Sequence, residues 1–340
     1  MVGEVGGVGG VAGCTKKIFS KDMSKVRILS LDGGGLRGIV PLLILKEIEK
    51  QQGKKIHELF DVIVGTSTGG IIACGLTCTK DGVNPFVTID QLIDLYTTKG
   101  DVIFPYSTNI FSKVIKGVRS IFNPTFSPKG LDGLLETYFG DMMLSQSLKP
   151  IIVSSYDVEN NEVIMFKTRL ATWSKERFDV RLKDLCRAAS AAPTFLPSYE
   201  MFFDGKKRTL VDGGVYINDP AMAAIAEVLK TRKDVKIEDI ECLSLGTGNH
   251  SEYFKAGSWG IANWAQSILT VMMQASSKAV DYECEQILEK YLRVQIEIDD
   301  EKKNNISDSR PATTQYIVDK VNNDIINNKT TMDTIKKFLE

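Results

Sequence analysis

Asp61-Val62-Ile63-Val64-Gly65-Thr66-Ser67-Thr68-Gly69-Gly70 joins a short apolar run of strand character to Gly-x-Ser-x-Gly, and Ile71-Ile72-Ala73-Cys74 follows with helix character. That order is the layout of a nucleophile elbow. A sharp strand-to-helix turn lifts a serine hydroxyl out of a sheet, and glycines on both sides remove side chains that would clash. The new helix aims its free N–H groups and positive dipole end at any oxyanion formed beside the serine. The stretch makes Ser67 the candidate nucleophile of an acyl hydrolase.

Working outward, strand and helix patterns alternate. Strands are expected at 26–31, 61–64, 150–155, 162–167, 240–245 and 291–298. Helices are expected at 39–51, 71–78, 92–98, 182–189, 221–231, 261–288, 314–326 and 332–339. Alternating elements with near-continuous apolar strands predict an α/β fold, a three-layer sandwich with a central, mostly parallel sheet flanked by helices. No long Pro/Ser linker and no fixed-period repeat interrupts it. Residues 1–24 read as a flexible Gly-rich tail lacking the pattern of a signal peptide, and 25–340 as one catalytic domain with insertions.

Directly after the first strand comes Leu31-Asp32-Gly33-Gly34-Gly35-Leu36-Arg37-Gly38. Gly33-x-Gly35-x-x-Gly38 meets the dinucleotide-binding spacing, a weak signal alone. That chemistry also wants an acidic residue at the end of the second strand to hold a ribose. The end of the second strand instead carries Gly65, Thr66 and Ser67, and its acidic residue, Asp61, lies at the start. An oxyanion hole fits better, because consecutive glycines let backbone N–H groups approach a reacting carbonyl. The plainer account is a tight strand-to-helix turn.

The nucleophile needs a base, and the residues offer two. Ser67, an Asp and then His250 follow the chain order of an α/β-hydrolase triad. Asp212, in Leu210-Val211-Asp212-Gly213-Gly214, repeats the grammar of the glycine loop: a short apolar strand, an aspartate, then glycines. An Asp-Gly turn explains the same residues without catalysis. His57 precedes the elbow strand and reads as a packing or surface residue.

Composition narrows the classes. With 42 basic and 43 acidic residues, no global field favours nucleic acid, and any membrane attraction must be local. Two histidines make a multi-histidine metal site a poor fit. Six cysteines without Cys-x-x-Cys spacing suit buried free thiols in a reducing compartment. No run of about 20 apolar residues is present to span a bilayer.

The chain resembles the patatin-like phospholipases over about 25–340. The resemblance rests on three motifs in order: Asp32-Gly33-Gly34-Gly35-Leu36-Arg37-Gly38, Gly65-Thr66-Ser67-Thr68-Gly69 and Asp212-Gly213-Gly214. Ala188-Ala189-Ser190-Ala191-Ala192-Pro193 and Ser244-Leu245-Gly246-Thr247-Gly248 look like the family too. The resemblance implies a Ser-Asp dyad without histidine, with Ser67 as nucleophile and Asp212 as general base. It makes Gly33, Gly34 and Gly35 the oxyanion hole. It implies calcium-independent hydrolysis of fatty-acyl esters of phospholipids or galactolipids, with no cofactor and no metal. The alternatives are a Ser-His-Asp esterase or thioesterase using His250, and a catalytically inert lipid-binding relative.

An aspartate with a solution pKa of about 3.9 is a feeble base for a serine hydroxyl. It can serve only if it touches the hydroxyl and is shielded from water. Arg37, inside the glycine loop, is placed to meet a phosphate or to pin the loop. In 104–122, Ile110, Phe111, Val114, Ile115, Val118, Ile121 and Phe122 fall within one sector of a helix, with Lys113, Lys116 and Arg119 on the opposite side. Such a helix suits either packing on the core or lying on an anionic membrane surface. The expected placement is cytoplasmic and peripheral to membranes. Oligomeric state and any activating partner are left open.

Overall fold

The computed structural model describes residues 25–106, 124–250 and 261–340. Its centre is an eight-stranded sheet: β1 (Val26–Leu31), β2 (Val62–Thr66), β3 (Ile151–Asp157), β4 (Glu162–Lys167), β5 (Tyr199–Phe203), β6 (Lys206–Asp212), β7 (Ile240–Leu245) and, after a two-residue β8 (Asn249–His250), β9 (Lys290–Val294). The order is β5-β6-β3-β2-β1-β7-β9, with β4 also paired to β3. β3, β2, β1, β7 and β9 run parallel, and β4, β5 and β6 join through antiparallel ladders. β10 (Glu297–Ile298) pairs only with β8.

The parallel strands are apolar on both faces because helices cover both. Leu29, Leu31, Ile63, Leu243 and Leu245 pack toward the helices Ile39–Gln52, Thr68–Thr77 and Leu182–Ala189. Val26, Ile28, Val62, Val64, Ile240 and Cys242 pack toward Ala221–Thr231 and Ile261–Ile287. This is the expected α/β layering, a mostly parallel sheet between helices. The five described cysteines, Cys74, Cys78, Cys186, Cys242 and Cys284, are free and buried.

Local differences have physical reasons. The expected strand 291–298 divides into β9 and β10. The helix Pro311–Val321 ends in a π-helical turn, Asn322–Ile326, where one α-helix was expected. The hairpin β5–β6 and the helix Lys129–Phe139 were not foreseen. Lys206-Lys207-Arg208 hid a strand start, yet Asp204-Gly205 carries the signal: both residues have positive φ (53° and 72°), the conformation that closes two-residue hairpins. The basic amphipathic segment with Lys113, Lys116 and Arg119 lies outside the described residues, as does the expected tail 1–24. Among the described residues no helix is long and apolar enough to cross a membrane.

Candidate active site

β2 ends at Thr66, and Ser67 follows with φ 54° and ψ −119°. A serine holds such a backbone only where its surroundings impose it. The constraint is close packing. A Cβ on Gly69 would sit 2.2 Å from the Leu31 carbonyl oxygen, and one on Gly65 would sit 2.2 Å from the backbone of Gly69. Only glycines let strand end, turn and helix start lie this close. The helix Thr68–Thr77 is buried along its whole length, so the elbow is fixed from behind. Ser67 thus projects at the carboxyl edge of the parallel strands, where ligands of open α/β sheets gather.

Asp212 arrives from across the sheet. Thr66 pairs with Ser154 in β3, and Asp212 pairs with Ser155 in the antiparallel β3–β6 ladder. The Ser67 hydroxyl donates to Asp212 Oδ2 at 2.5 Å, and the Gly214 N–H donates to Oδ1 at 2.7 Å. Burial pushes the Asp212 pKa from 3.8 up to about 6, against the pull of those two hydrogen bonds. Among the described residues no cation is paired with it. A buried carboxylate without a counter-ion, touching a hydroxyl, meets the demand that a direct aspartate base makes.

The glycine loop is held at several points. Asp32 N–H donates to Leu245 O and Leu36 N–H to Ile306 O, while Gly33 O accepts from Thr247 Oγ1 at 2.8 Å. The Gly33 N–H donates to Asn218 O at 3.1 Å. Gly33 was expected in the oxyanion hole, but this bond uses its one donor, and Gly33 does not line the cleft beside Ser67. Gly34 and Gly35 do line it, and among the described residues their N–H groups have no acceptor. Thr68, first residue of the elbow helix, lines it too. Its N–H is a further donor that the Gly-x-Ser-x-Gly motif already signals.

The cleft is a predominantly apolar space walled by Leu36, Ile71, Ile103, Phe104, Leu131 and Phe195 among others. Such walls suit a hydrocarbon chain. From the helix Ile261–Ile287, Leu269 and Met273 complete it. Tyr96, also in the wall, accepts a hydrogen bond from Thr68 Oγ1 at 2.5 Å.

Arg37 does not line the cleft. Its buried guanidinium donates to Asn304 Oδ1 at 2.9 Å, its Nε has no partner among the described residues, and burial lowers its pKa to about 10. Of the two roles open to it, pinning the loop against the 304–306 segment fits this placement. His57 is buried in the helix Ile56–Leu59, before β2, at the far end of that strand from Ser67. The backbone of His250 pairs with Ile298 in β10, and its side chain lies outside the description.

Four residues went unrecognised in the sequence: Tyr96 in the cleft wall and, beneath the site, the cluster of Asn218, Asp219 and Arg293. Arg293 and Asp219 had a signal, Arg293 as a cation between Leu292 and Val294 inside a strand and Asp219 as an acid before Pro220 at a helix start. Asp32 faces this cluster, away from the cleft, and burial pushes its pKa up to about 7 against the pull of Arg293. Among the described residues no group of three His, Cys, Asp or Glu is placed to hold a metal.

A family model described as patatin-like phospholipase matches residues 29–225. Patatin-like protein 2 of Arabidopsis thaliana is 34% identical, the match covering 76% of this chain and 70% of that protein. Patatin-15 of Solanum tuberosum is 29% identical, covering 83% and 78%. Among solved structures, VipD from Legionella pneumophila superposes with a TM-score of 0.39 at 12% identity, covering 88% of this chain and 67% of that one.

Proposed function

The chain belongs to the patatin-like phospholipase family, and on that premise we propose that it is a phospholipase A-type lipid acyl hydrolase acting through Ser67 and Asp212. Family membership supports lipid acyl hydrolysis in general. The dyad, the oxyanion donors, the independence from calcium and the glycerolipid substrate are the finer part of the proposal. One observation carries it: the Ser67 hydroxyl donates at 2.5 Å to a buried aspartate on the edge of an apolar cleft.

The steps follow from that geometry. As Ser67 Oγ attacks the ester carbonyl, Asp212 Oδ2 takes its proton. Charge grows on the carbonyl oxygen, and the Gly34 and Gly35 N–H groups of the cleft wall are the donors assigned to it, with the Thr68 N–H and the helix dipole behind Ser67. Asp212 then returns the proton to the leaving alcohol, and an acyl-enzyme remains. Water attacks it with the same carboxylate as base, the acyl–Oγ bond breaks, and Asp212 hands the proton to Ser67 Oγ as the fatty acid leaves. The cleft receives the acyl chain, and peripheral contact with the lipid surface delivers it.

Mixed phospholipid and galactolipid vesicles, incubated with wild type and with Ser67→Ala in the presence of a calcium chelator, test the whole reading. Fatty acid release by wild type and its loss in Ser67→Ala, with fluorophosphonate labelling of wild type alone, is the expected result. Release that survives Ser67→Ala would sink the nucleophile, and release abolished by the chelator would sink calcium independence.

A further inference from the structure

A polar cluster lies under the two catalytic loops, in a sheet face that is otherwise apolar. The register sets Ser30 of β1 beside Ser244 of β7, and Ser244 beside Arg293 of β9. This row interrupts the face formed by Val26, Ile28, Val62, Val64, Ile240 and Cys242. Arg293 Nη1 lies 2.8 Å from Asp32 Oδ1, and Nη2 lies 2.5 Å from Oδ2, a two-pronged grip. The same Nη1 reaches Asp219 Oδ2 at 3.0 Å and Ser244 Oγ at 2.6 Å. Asp219 further accepts from Ser30 Oγ, Ser244 Oγ and the Ala221 N–H, each at 2.9 Å.

The two carboxylates belong to different loops. Asp32 opens the loop that carries Gly34 and Gly35. Asp219 closes the loop that starts at Asp212, and between them Asn218 O receives the Gly33 N–H. One guanidinium, from a strand distant in sequence, therefore holds both. Stability alone is a weak explanation, because buried ion groups can often be replaced by apolar side chains without loss. Placement is a stronger one, since oxyanion donors and base must be held within about 0.5 Å of their working positions.

We propose that Arg293 is a positioning residue for the Ser67–Asp212 site: by gripping Asp32 and Asp219 together, it fixes the oxyanion loop relative to the base loop. The proposal rests on the function proposed above. Oxyanion stabilisation acts in the transition state and not in substrate binding, so losing the grip falls on kcat and spares KM. Lysine keeps the charge but cannot fork to two carboxylates. A misplacement of about 1 Å is enough to cost on the order of 100-fold.

The test compares wild type, Arg293→Lys, Arg293→Ala and Ser67→Ala on a soluble fatty-acyl ester, with Tm recorded for each. Arg293→Lys is expected to lower kcat by about 10- to 100-fold with KM nearly unchanged. In Arg293→Ala, added methylguanidinium is expected to restore kcat at concentrations that leave Tm unchanged. Wild-type kcat in Arg293→Lys overturns the proposal. So does a loss of kcat in both variants that follows only the fraction unfolded and is not rescued. If Ser67→Ala retains full activity, the Ser67–Asp212 reading itself falls. If Ser67→Ala is inactive while Arg293→Lys behaves as wild type, the Arg293 assignment alone falls.

Discussion

Asp32-Gly33-Gly34 and Asp212-Gly213-Gly214 place the same three residues at the end of an apolar strand, and the fold uses them differently. Both aspartates are buried, and burial pushes both above the usual carboxylate range, Asp32 to about 7 and Asp212 to about 6. Basicity therefore does not separate them. Contact does. Asp32 faces down into the sheet, in the grip of Arg293, and stays out of the cleft. Asp212 faces up, lines the cleft, and receives the hydroxyl of Ser67. A buried aspartate becomes a candidate base only where its neighbour has a proton to give and room for a substrate.

The sharpest way to break this contrast is to neutralise each aspartate in turn. Asp212→Asn is expected to lower the ester hydrolysis rate by about 10⁴-fold or more. Asp32→Asn acts only through a displaced glycine loop and is expected to cost no more than about 100-fold. Equal losses measured in parallel would show that the two segments are not functionally distinct.

Next in size is the loop itself. A Cβ on Gly34 would lie 2.1 Å from Thr247 Oγ1, so Gly34→Ala must shift the backbone that carries the proposed oxyanion donors. A drop in kcat of about 100- to 1,000-fold is expected. A Gly34→Ala enzyme with wild-type kcat would remove the loop from the mechanism.

A pH profile assigns the titrating group. Asp212 must be ionised to accept a proton, so kcat/KM should fall about tenfold per pH unit below about 6. Asp32→Asn should leave that limb in place. A limb that disappears with Asp32→Asn would belong to Asp32 instead.

The smallest expected effect is on stability. Because the folded-state pKa of Asp212 is raised, folding favours its protonated form, and ionisation weakens the fold as pH rises through about 6. A shift from 3.8 to about 6, roughly two units, corresponds to about 3 kcal/mol at most. Asp212→Asn should therefore raise Tm at pH 7, and the gain over wild type should vanish below about pH 4. A lower Tm at pH 7 would mean that the Ser67 and Gly214 hydrogen bonds outweigh the buried charge.

The chain alone made much of the architecture legible. β1, β7 and the helices Leu182–Ala189 and Ala221–Thr231 follow the hydrophobic pattern closely, because helices cover both faces of the sheet there. β4, though half-exposed, was legible from Val163-Ile164-Met165-Phe166. The hairpin β5–β6 escaped because β6 starts on three cations, Lys206 and Lys207 exposed and Arg208 buried, its charge met by Asp157 and Glu162 from β3 and β4. Ser30, Ser244 and Arg293 were also illegible as a group. Each lies in a different strand, far from the others in sequence, and only the register across β1, β7 and β9 makes them neighbours.

By itself the sequence determined where the elbow falls, because ten consecutive residues carry the strand, the serine and the two glycines whose missing Cβ atoms let strand end, turn and helix start pack this closely. It also determined which Asp-Gly-Gly segments were available. Only the tertiary structure decided what each of them touches. Asp212 reaches Ser67 across 145 residues of chain, and Gly33 gives its N–H to Asn218, leaving Gly34 and Gly35 facing the cleft. Local covalent geometry can place a nucleophile, but a partner carboxylate and a free donor depend on which distant strands pair and what they bury.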